Sequence, residues 1–537
     1  MSNSRSKQAM AGLLLLSLAA ILSTGPLAGQ SQRGSLVGSV ADASDAVIPK
    51  ARVEVTHEAT GGRFQAETGN DGFYTVLYLP YGRFTVAVNA PGFKTYTLTG
   101  VEVAAATQTT LNVALSVESQ TQEVRIEAAA ALLEAHTSAI STNVEQRLKD
   151  EIPVGNRRNP LAYLTLVPGF QPSTQSTFGG GRYGSNNILL DGQAPDVSVT
   201  SQGDFGNPSL PSVEAIGEFV ALLNSVPAEY GRTGGPTISF ATRSGSNDLH
   251  GAAYEYYDNQ VFNARPWQAG RRAEGHQHFF GATAGGPVRI PKFYNGRNKS
   301  FFFVDYSDIR QSDAGTVTNI TTLPTANMRR GDFGASDILP IFDPLTLAAD
   351  AQGNQRRQAF PGNQIPLTRL SAVSRSFLDR LPTATHPGSL NNFVGSLPPQ
   401  AQTQWLLFVK GDHYVSERDR LSGSYQAGRP RIVGSSILGD AFGELQSTNF
   451  NRYRLDWSHS FSPSLSHLLL VGVTRQTSSN SSRNFGQNFG QAAGLRGLFD
   501  PNCPRIEVDR AQQGSFTMCF NLSLIHISEP TRLRRIS

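Results

Sequence analysis

The feature that most restricts this chain is a period of two in the residues beyond 250. From Asn451 to Ser460, Tyr453, Leu455 and Trp457 alternate with Arg452, Arg454 and Asp456. Successive side chains of a strand point to opposite faces, so the apolar set shares one face and the charged set the other. A stretch of about ten residues with this alternation is the signature of a transmembrane barrel strand, apolar toward lipid and polar toward a wet interior. Leu421, Gly423 and Tyr425 against Ser422, Ser424 and Gln426 repeat the arrangement, and Leu469, Val471 and Val473 give a weaker case. Phe302, Val304 and Tyr306 occupy one face of a further strand, with Asp305 and Ser307 on the other beside Phe301 and Phe303.

A soluble sandwich produces some of this alternation too, and the rhythm of the connections discriminates. Strands are expected near 250–259, 277–287, 299–309, 404–414, 420–428, 451–460 and 466–476. Their connections alternate long and short, as outer loops and periplasmic turns do in outer-membrane barrels. The longest, about Gln311 to Thr403, holds one amphipathic helix with Leu370, Val373, Phe377, Leu378 and Leu381 at helical spacing, halted by Pro382. Such a loop is rare in a compact soluble domain and ordinary outside a barrel.

Composition agrees. With 537 residues the chain exceeds one ordinary domain, and Gly 52, Pro 30 and 16% charged residues fit a turn-rich β protein. After the N-terminus no run reaches the roughly 18 apolar residues of a spanning helix, which excludes a helical membrane protein. A net charge of +4 with dispersed Lys and Arg gives no nucleic-acid footprint. Arg5 and Lys7 precede an apolar stretch from Ala11 to Leu22, then Gly25, Pro26 and small residues, so residues 1–29 read as an export signal cleaved near Ala28 to Gln30. Cys503 and Cys519 are the two cysteines. In an oxidising compartment they either close a loop of ~15 residues worth about 3 kcal/mol or stay as thiols.

Residues 34–119 show short β-runs separated by turns: Leu36, Val37 and Val40, then Val53 and Val55, then Tyr74, Val76 and Tyr78, then Phe84, Val86 and Val88. About seven such strands make a small sandwich. Asn70, Asp71 and Gly72 tolerate positive φ and predict a hairpin. Gly38 to Asp42, Ala51-x-Val53-x-Val55, Thr68-x-x-Asp71-Gly72-x-Tyr74, Leu79-Pro80-x-Gly82 and Gly92-Phe93 resemble the carboxypeptidase regulatory-like domain, a non-catalytic transthyretin- or starch-binding-like sandwich. One departure is Ala46, where that family turns on Gly, so strain is expected in the first hairpin.

From residue 121 to 248 the periodicity is mixed, with short helices expected at Asn143 to Glu151 and Asn159 to Leu166, stopped by Pro153 and Pro168. Strands are expected at Asn187 to Leu190, Glu218 to Leu223 and Thr237 to Thr242. Here Asn187-x-x-x-Asp191-Gly192, Ile216-x-Glu218-Phe219, Ala228-Glu229-Tyr230-Gly231-Arg232, Gly234-Gly235 and Thr242-x-Ser244-Gly245-x-Asn247-x-x-His250-Gly251 resemble the plug of TonB-dependent receptors of the large, Oar-like type. The fold class expected is therefore mainly β: an Ig- or transthyretin-like sandwich, an α+β plug, and an antiparallel transmembrane barrel over residues 250–521.

Seven strands leave an open edge that lipid does not tolerate, and receptors of the resembled type use about 22, so a C-terminally truncated fragment is expected. Residues 522–537 lose the period of two and gather Arg532, Arg534 and Arg535, which reads as a non-native tail.

The resemblance implies an outer-membrane protein that takes up a ligand, with a TonB-type periplasmic energising protein and membrane lipid as partners. The energising protein would pull an extended segment between sandwich and plug, and Thr121, Gln122, Glu123, Val124, Arg125 and Ile126 are the candidate. The same residues serve equally as a last sandwich strand or a linker. Glu229 and Arg232 of the plug are expected to pair with barrel-wall charges such as Arg452, Arg454 and Asp456. Siderophore, oligosaccharide, peptide and vitamin all remain open as ligand. A surface adhesion protein with a glycan-contacting sandwich is the competing reading, and a secreted enzyme accessory module that binds carbohydrate is a third.

No catalytic, cofactor or metal site emerges. Gly179, Gly181 and Gly184 form G-x-G-x-x-G without the strand and helix that a nucleotide loop needs, and read as a plug loop. His276 and His278 share one face of a strand but lack a third ligand, and read as a solvated rim.

Overall fold

The computed structural model describes residues 33–117, 124–127, 140–144, 160–171, 177–178, 181, 186–195, 210–224, 230, 235–262, 264, 275–313, 318–335, 338–396, 400–434, 436–438, 443–462, 465–483 and 489–492. The export signal, Cys503, Cys519 and residues 522–537 lie outside them. The fold is mainly β, with an N-terminal sandwich, a small mixed sheet and a long antiparallel sheet.

The sandwich has two layers. In one, Gly34–Asp42 pairs antiparallel with Phe73–Leu79 and parallel with Gln108–Thr110 and Val113–Leu115. In the other the order is Arg63–Glu67, Arg52–His57, Gly82–Asn89, Tyr96–Val103 and Val124–Glu127. Alternate residues of each strand turn inward, and Leu36, Val40, Val53, Val55, Phe84, Val86 and Val88 are fully buried between the layers. Gly38 is required by that packing: a Cβ there would lie 1.8 Å from the Leu111 carbonyl oxygen.

Two expectations about turns are corrected. Asn70 to Gly72 do form a tight turn, with Gly72 at φ 72° and the Asp71 carboxylate accepting from the Phe73 N–H at 3.1 Å. However, the strands on either side pair with different partners, so the turn carries the chain from one layer to the other and is no hairpin. In the first turn the left-handed residue is Asp45, at φ 63°, and Ala46 is not among the positive-φ residues. Asp42 organises that turn by accepting from the Ser44 and Ala46 N–H groups at 2.8 and 3.0 Å, so Ala46 carries no strain there.

The small mixed sheet has the order Ile140–Val144, Ile216–Asn224, Thr237–Thr242, Asn187–Leu190. The last three strands fall where the sequence places them. Asn143 and Val144, read from sequence as the start of a helix, instead pair with Val220 and Phe219, and residues 145–151 lie outside the described ones. Pairing with an apolar neighbour overrode a weak local signal. The second expected helix is a 3-10 helix, Pro160–Leu166, whose Leu161, Tyr163 and Leu164 are buried against Phe219 and Phe240.

The long sheet is built from seven wall strands: His250–Asn259, Gly275–Pro287, Ser300–Asp313, Gln400–Tyr414, Asp419–Gly428, Glu444–Ser462 and Leu465–Ser482. Each pairs antiparallel with the next, and a short strand Arg431–Val433 pairs with both the fourth and the sixth. Among the described residues the sheet is open, with the first and seventh strands at its edges. Register sorts the side chains as the alternation requires. Tyr453, Leu455, Leu469, Val471 and Val473 are exposed outward, whereas Arg452, Asp456, Ser422, Gln426, Asp305 and Ser307 are buried on the inner face. Between the third and fourth strands, the expected helix forms as Ala372–Leu378, capped by the Ser371 side chain on the Ser374 N–H.

One buried group of the sandwich titrates abnormally. His57 packs edge-on against Phe84, its Nδ1 accepts from the Thr60 N–H, and burial pushes its pKa down to about 4. The unfolded chain therefore binds a proton between about pH 6.5 and 4 that the folded one refuses, so stability falls as pH drops through that window. We expect the denaturant midpoint of the sandwich to decline from pH 6.5 to 4, and His57→Gln to flatten the slope. A slope equal in the two proteins would assign the effect to other groups.

Candidate functional site

The inner face of the wall mixes buried polar and charged groups with phenylalanines such as Phe303 and Phe408, and the small mixed sheet packs against it. This sheet is the plug of the sequence reading, and its seat is the candidate functional site. Its centre is Asp191, which stands at φ 47° after the strand Asn187–Leu190, where a turn closed by reciprocal Leu190 and Gln193 backbone bonds follows. Its carboxylate accepts from the Thr242 N–H at 3.0 Å and the Thr242 hydroxyl at 2.5 Å, tying the ends of two plug strands together. Lys410, projecting inward from the fourth wall strand, lies 3.6 Å from the same carboxylate and donates to the Thr242 hydroxyl and carbonyl oxygens at 3.0 and 3.2 Å. All three residues are buried, so this is an ion pair with its hydrogen bonds met rather than a solvated contact.

A second contact joins the plug to the third wall strand. The Ser212 hydroxyl donates to the fully buried Asp305 carboxylate at 2.9 Å, and Tyr254 of the first wall strand donates to the same oxygen at 3.3 Å. A third uses Arg452, which donates to the Pro195 carbonyl oxygen at 2.8 Å and to Gln426 at 2.6 Å. Beside it, Gln193 donates to Thr474 at 3.0 Å.

The sandwich takes part as well. The Glu218 carboxylate of the plug accepts from the Ala105 N–H at 2.9 Å, and the Tyr81 hydroxyl donates to the Thr242 carbonyl oxygen at 3.3 Å. Burial raises the Tyr81 pKa far above the ordinary phenol range, so it remains a donor at physiological pH. Arg33 reaches the wall and pairs with Asp456, which also binds Arg454 at 2.7 Å; Asp412 and Arg420 pair nearby at 2.8 Å. Where sandwich, plug and wall meet, a cavity of about 500 Å³ is lined by His57, Tyr81, Ser244, Phe301, Asp412 and Arg420 among others.

The wall charges named from sequence, Arg452, Arg454 and Asp456, all face inward as the alternation predicts. Among the described residues Arg452 donates to a plug carbonyl and Asp456 pairs with Arg33 of the sandwich. Glu229 and Arg232 lie outside the described residues. Of the candidate pulling segment, Val124, Arg125 and Ile126 belong to the edge strand of the sandwich, parallel to Tyr96–Thr99, while Thr121, Gln122 and Glu123 lie outside the described residues. Gly179 and Gly184 also lie outside. His276 and His278 sit near the rim of the second strand, with His278 3.0 Å from Glu255. Among the described residues no group of three or more His, Cys, Asp or Glu is arranged to hold a metal. Asp191, Lys410, Ser212 and Asp305 were not singled out as site residues. Asp191 lay within the quoted Asn187-x-x-x-Asp191-Gly192 motif, but nothing local to Lys410 or Asp305 marks either as a seat.

Comparison with known proteins bears on the whole arrangement. Residues 35–116 match the carboxypeptidase regulatory-like domain. The TonB-dependent transporter Oar of Myxococcus xanthus is 26% identical over 337 residues, covering 58% of this chain and 30% of that protein. The chain thus spans about a third of the length of that curated relative. Among solved structures, the ferric-catecholate import receptor Fiu from E. coli K12 superposes with a TM-score of 0.34 at 12% identity, covering 64% of this chain and 50% of Fiu. A ferric enterobactin receptor mutant from Pseudomonas aeruginosa gives 0.37 at 12% identity, covering 67% of this chain and 44% of the receptor. Residues 241–524, just over half of the sequence, match the outer membrane beta barrel domain, and the chain belongs to that family and to the bacterial outer membrane.

Proposed function

We propose that this protein carries a ligand inward across the outer membrane through a plugged barrel, driven by a TonB-type periplasmic protein. The observation that carries the reading is the character of the plug seat. A permanent partition would be expected to be sealed by continuous apolar packing. Here the described part of the plug meets the wall through an apolar contact of Ala215 with Phe303 and Phe408 and through polar interlocks, at Lys410 with Asp191 and Thr242, at Ser212 with Asp305, and at Arg452 with Pro195. Polar contacts exchange for water at small net cost, since a typical hydrogen bond contributes only about 0.5–1.5 kcal/mol net. A seat of that kind can be released and remade. The name of the Myxococcus relative supports the same reading.

The pulling segment fits this scheme. Val124–Glu127 is four residues long and forms the edge of its sheet, and the next described strand, Ile140–Val144, is the edge of the plug sheet. Edge strands are the ones a partner pairs with, and the ones that peel first under load. The outward face of the wall would meet lipid, and the loops beyond the upper strand ends would meet the ligand, whose class is open among siderophores, oligosaccharides, peptides and vitamins.

Two measurements test this. Deleting residues 121–126 is expected to abolish accumulation of labelled compounds from a panel of those classes while surface display stays normal. Uptake indifferent to the deletion and to loss of the inner-membrane energising complex would refute energised transport, and no accumulation by the undeleted protein would favour adhesion. In the seat, Lys410→Met leaves the Asp191 carboxylate buried without its cation, at a cost of about 3 kcal/mol. Faster proteolysis of the plug is expected, with Lys410→Met/Asp191→Asn less affected than the sum of the two single changes. Strict additivity would show that the pair does not seat the plug.

A further inference from the structure

The connection between the second and third wall strands differs from the other connections at its end of the sheet. The fourth and fifth strands are joined through residues 415–418 and the sixth and seventh through residues 463–464. Residues 288–299 instead build a hairpin of their own, Arg289–Ile290 paired with Tyr294–Asn295, with Lys292 at φ 68° in the turn. Within Val288 to Ser300 there are four cations, Arg289, Lys292, Arg297 and Lys299, and no Asp or Glu. All four are exposed. Apolar groups are exposed among them: Phe293 is 86% and Ile290 52% accessible. An open groove of about 590 Å³ runs along the hairpin.

Register fixes the side of the wall on which the hairpin lies. In the third strand the odd residues Phe301, Phe303, Asp305 and Ser307 are buried inward, and Tyr306 is exposed outward. Ser300 has the outward parity. Its hydroxyl bonds the Tyr294 hydroxyl at 2.6 Å and His413 Nδ1 at 2.5 Å, and His413 pairs with the outward Leu421 of the fifth strand. Tyr294 therefore folds back onto the outer face of the wall, just past the end of its apolar band. In an outer-membrane barrel this end carries the short turns and is periplasmic, so that depth is the headgroup region of the inner leaflet. Exposed aromatic and aliphatic groups beside uncompensated cations are the combination that binds an anionic lipid interface.

We propose that the hairpin Arg289–Asn295, with Arg297, is a headgroup clamp for anionic phospholipid of the periplasmic leaflet. The cations hold the phosphate and Phe293 enters the acyl boundary. The clamp sets the depth of the wall next to the junction with the sandwich, because Asn298 in the same connection bonds Asn247 through two contacts, at 2.6 and 2.8 Å, and the Asn247 N–H donates to the Ala59 carbonyl oxygen of the sandwich at 3.0 Å.

The test uses the full chain in detergent micelles, offered phosphatidylglycerol or phosphatidylcholine and read by native mass spectrometry. Wild type is expected to retain phosphatidylglycerol in preference. Each neutralisation among Arg289→Gln, Lys292→Gln and Arg297→Gln should lower that retention about fivefold, from roughly 1 kcal/mol per cation at a charged surface. Phe293→Ser, which leaves every charge in place, should weaken retention of both lipids alike, and heat-modifiable migration verifies that each variant is folded. Equal retention of the two lipids by wild type, or a preference that survives the triple neutralisation, overturns the proposal. So does competition of inorganic phosphate with lipid at equal concentration, which would make the groove a site for free anion. Capture of wild type by peptidoglycan sacculi with no lipid preference would assign the surface to a different polyanion and equally refute the clamp.

Discussion

The whole structure depends on one constraint, the need of every backbone N–H and C=O in a membrane wall to find its partner within the protein. Hydrocarbon offers no hydrogen bonds, so the chain must pair strand to strand without gaps. From Ser300–Asp313 to Leu465–Ser482 it does so in almost unbroken register, with a single irregularity near Ser460 and Ser462. Continuous pairing forces the side chains to alternate, and alternation lets the inner face carry charged and polar groups while the outer one stays apolar. The plug, its charged seat and the contacts of the sandwich all follow from having that polar surface to cover.

Covering it sets the energetics of the interior. The plug carries an apolar core of its own, in which Phe219 and Phe240 lie 5.5 Å apart between ring centroids, and its Ala215 packs on Phe303 and Phe408 of the wall. Burying Lys410, Asp191, Asp305 and Arg452 away from water costs several kcal/mol per ion unless each finds partners. Partners are supplied from both sides: Thr242 to Lys410 and Asp191, Ser212 and Tyr254 to Asp305, Pro195 and Gln426 to Arg452. Orientation is thereby specified more than stability is gained.

Much of this was legible in the residues. Wall strands were readable because a period of two leaves a trace in every pair of positions, and His250–Asn259 spans the expected range without change. The upper parts of the sixth and seventh strands were not, since residues 444–450, apart from Leu445 and Phe450, and residues 476–482 are polar, as in a strand leaving the bilayer. The sandwich core was visible in Val53, Val55, Val86 and Val88, yet the layer to which each strand belongs was not, and Asn70 to Gly72 looked like a hairpin for that reason. Seat residues were the least readable. Asp191 stood in a recognisable turn motif, but its pairing with Lys410 depends on how the plug settles against a strand far along the chain, and no local pattern encodes that. Arg33 was overlooked because it precedes the first sandwich strand, where a lone cation carries no signal.

The carbonyl oxygen of Thr242 has a consequence beyond its own strand. It accepts Tyr81 from the sandwich and Lys410 from the wall, so sandwich, plug and wall converge on one acceptor. Load applied to any of them reaches the other two through this atom as well as through Arg33 with Asp456, Glu218 with Ala105 and Ser212 with Asp305. A displacement of that strand end loosens both donors together, so this acceptor couples the hold of the sandwich on the plug to the hold of the wall on it.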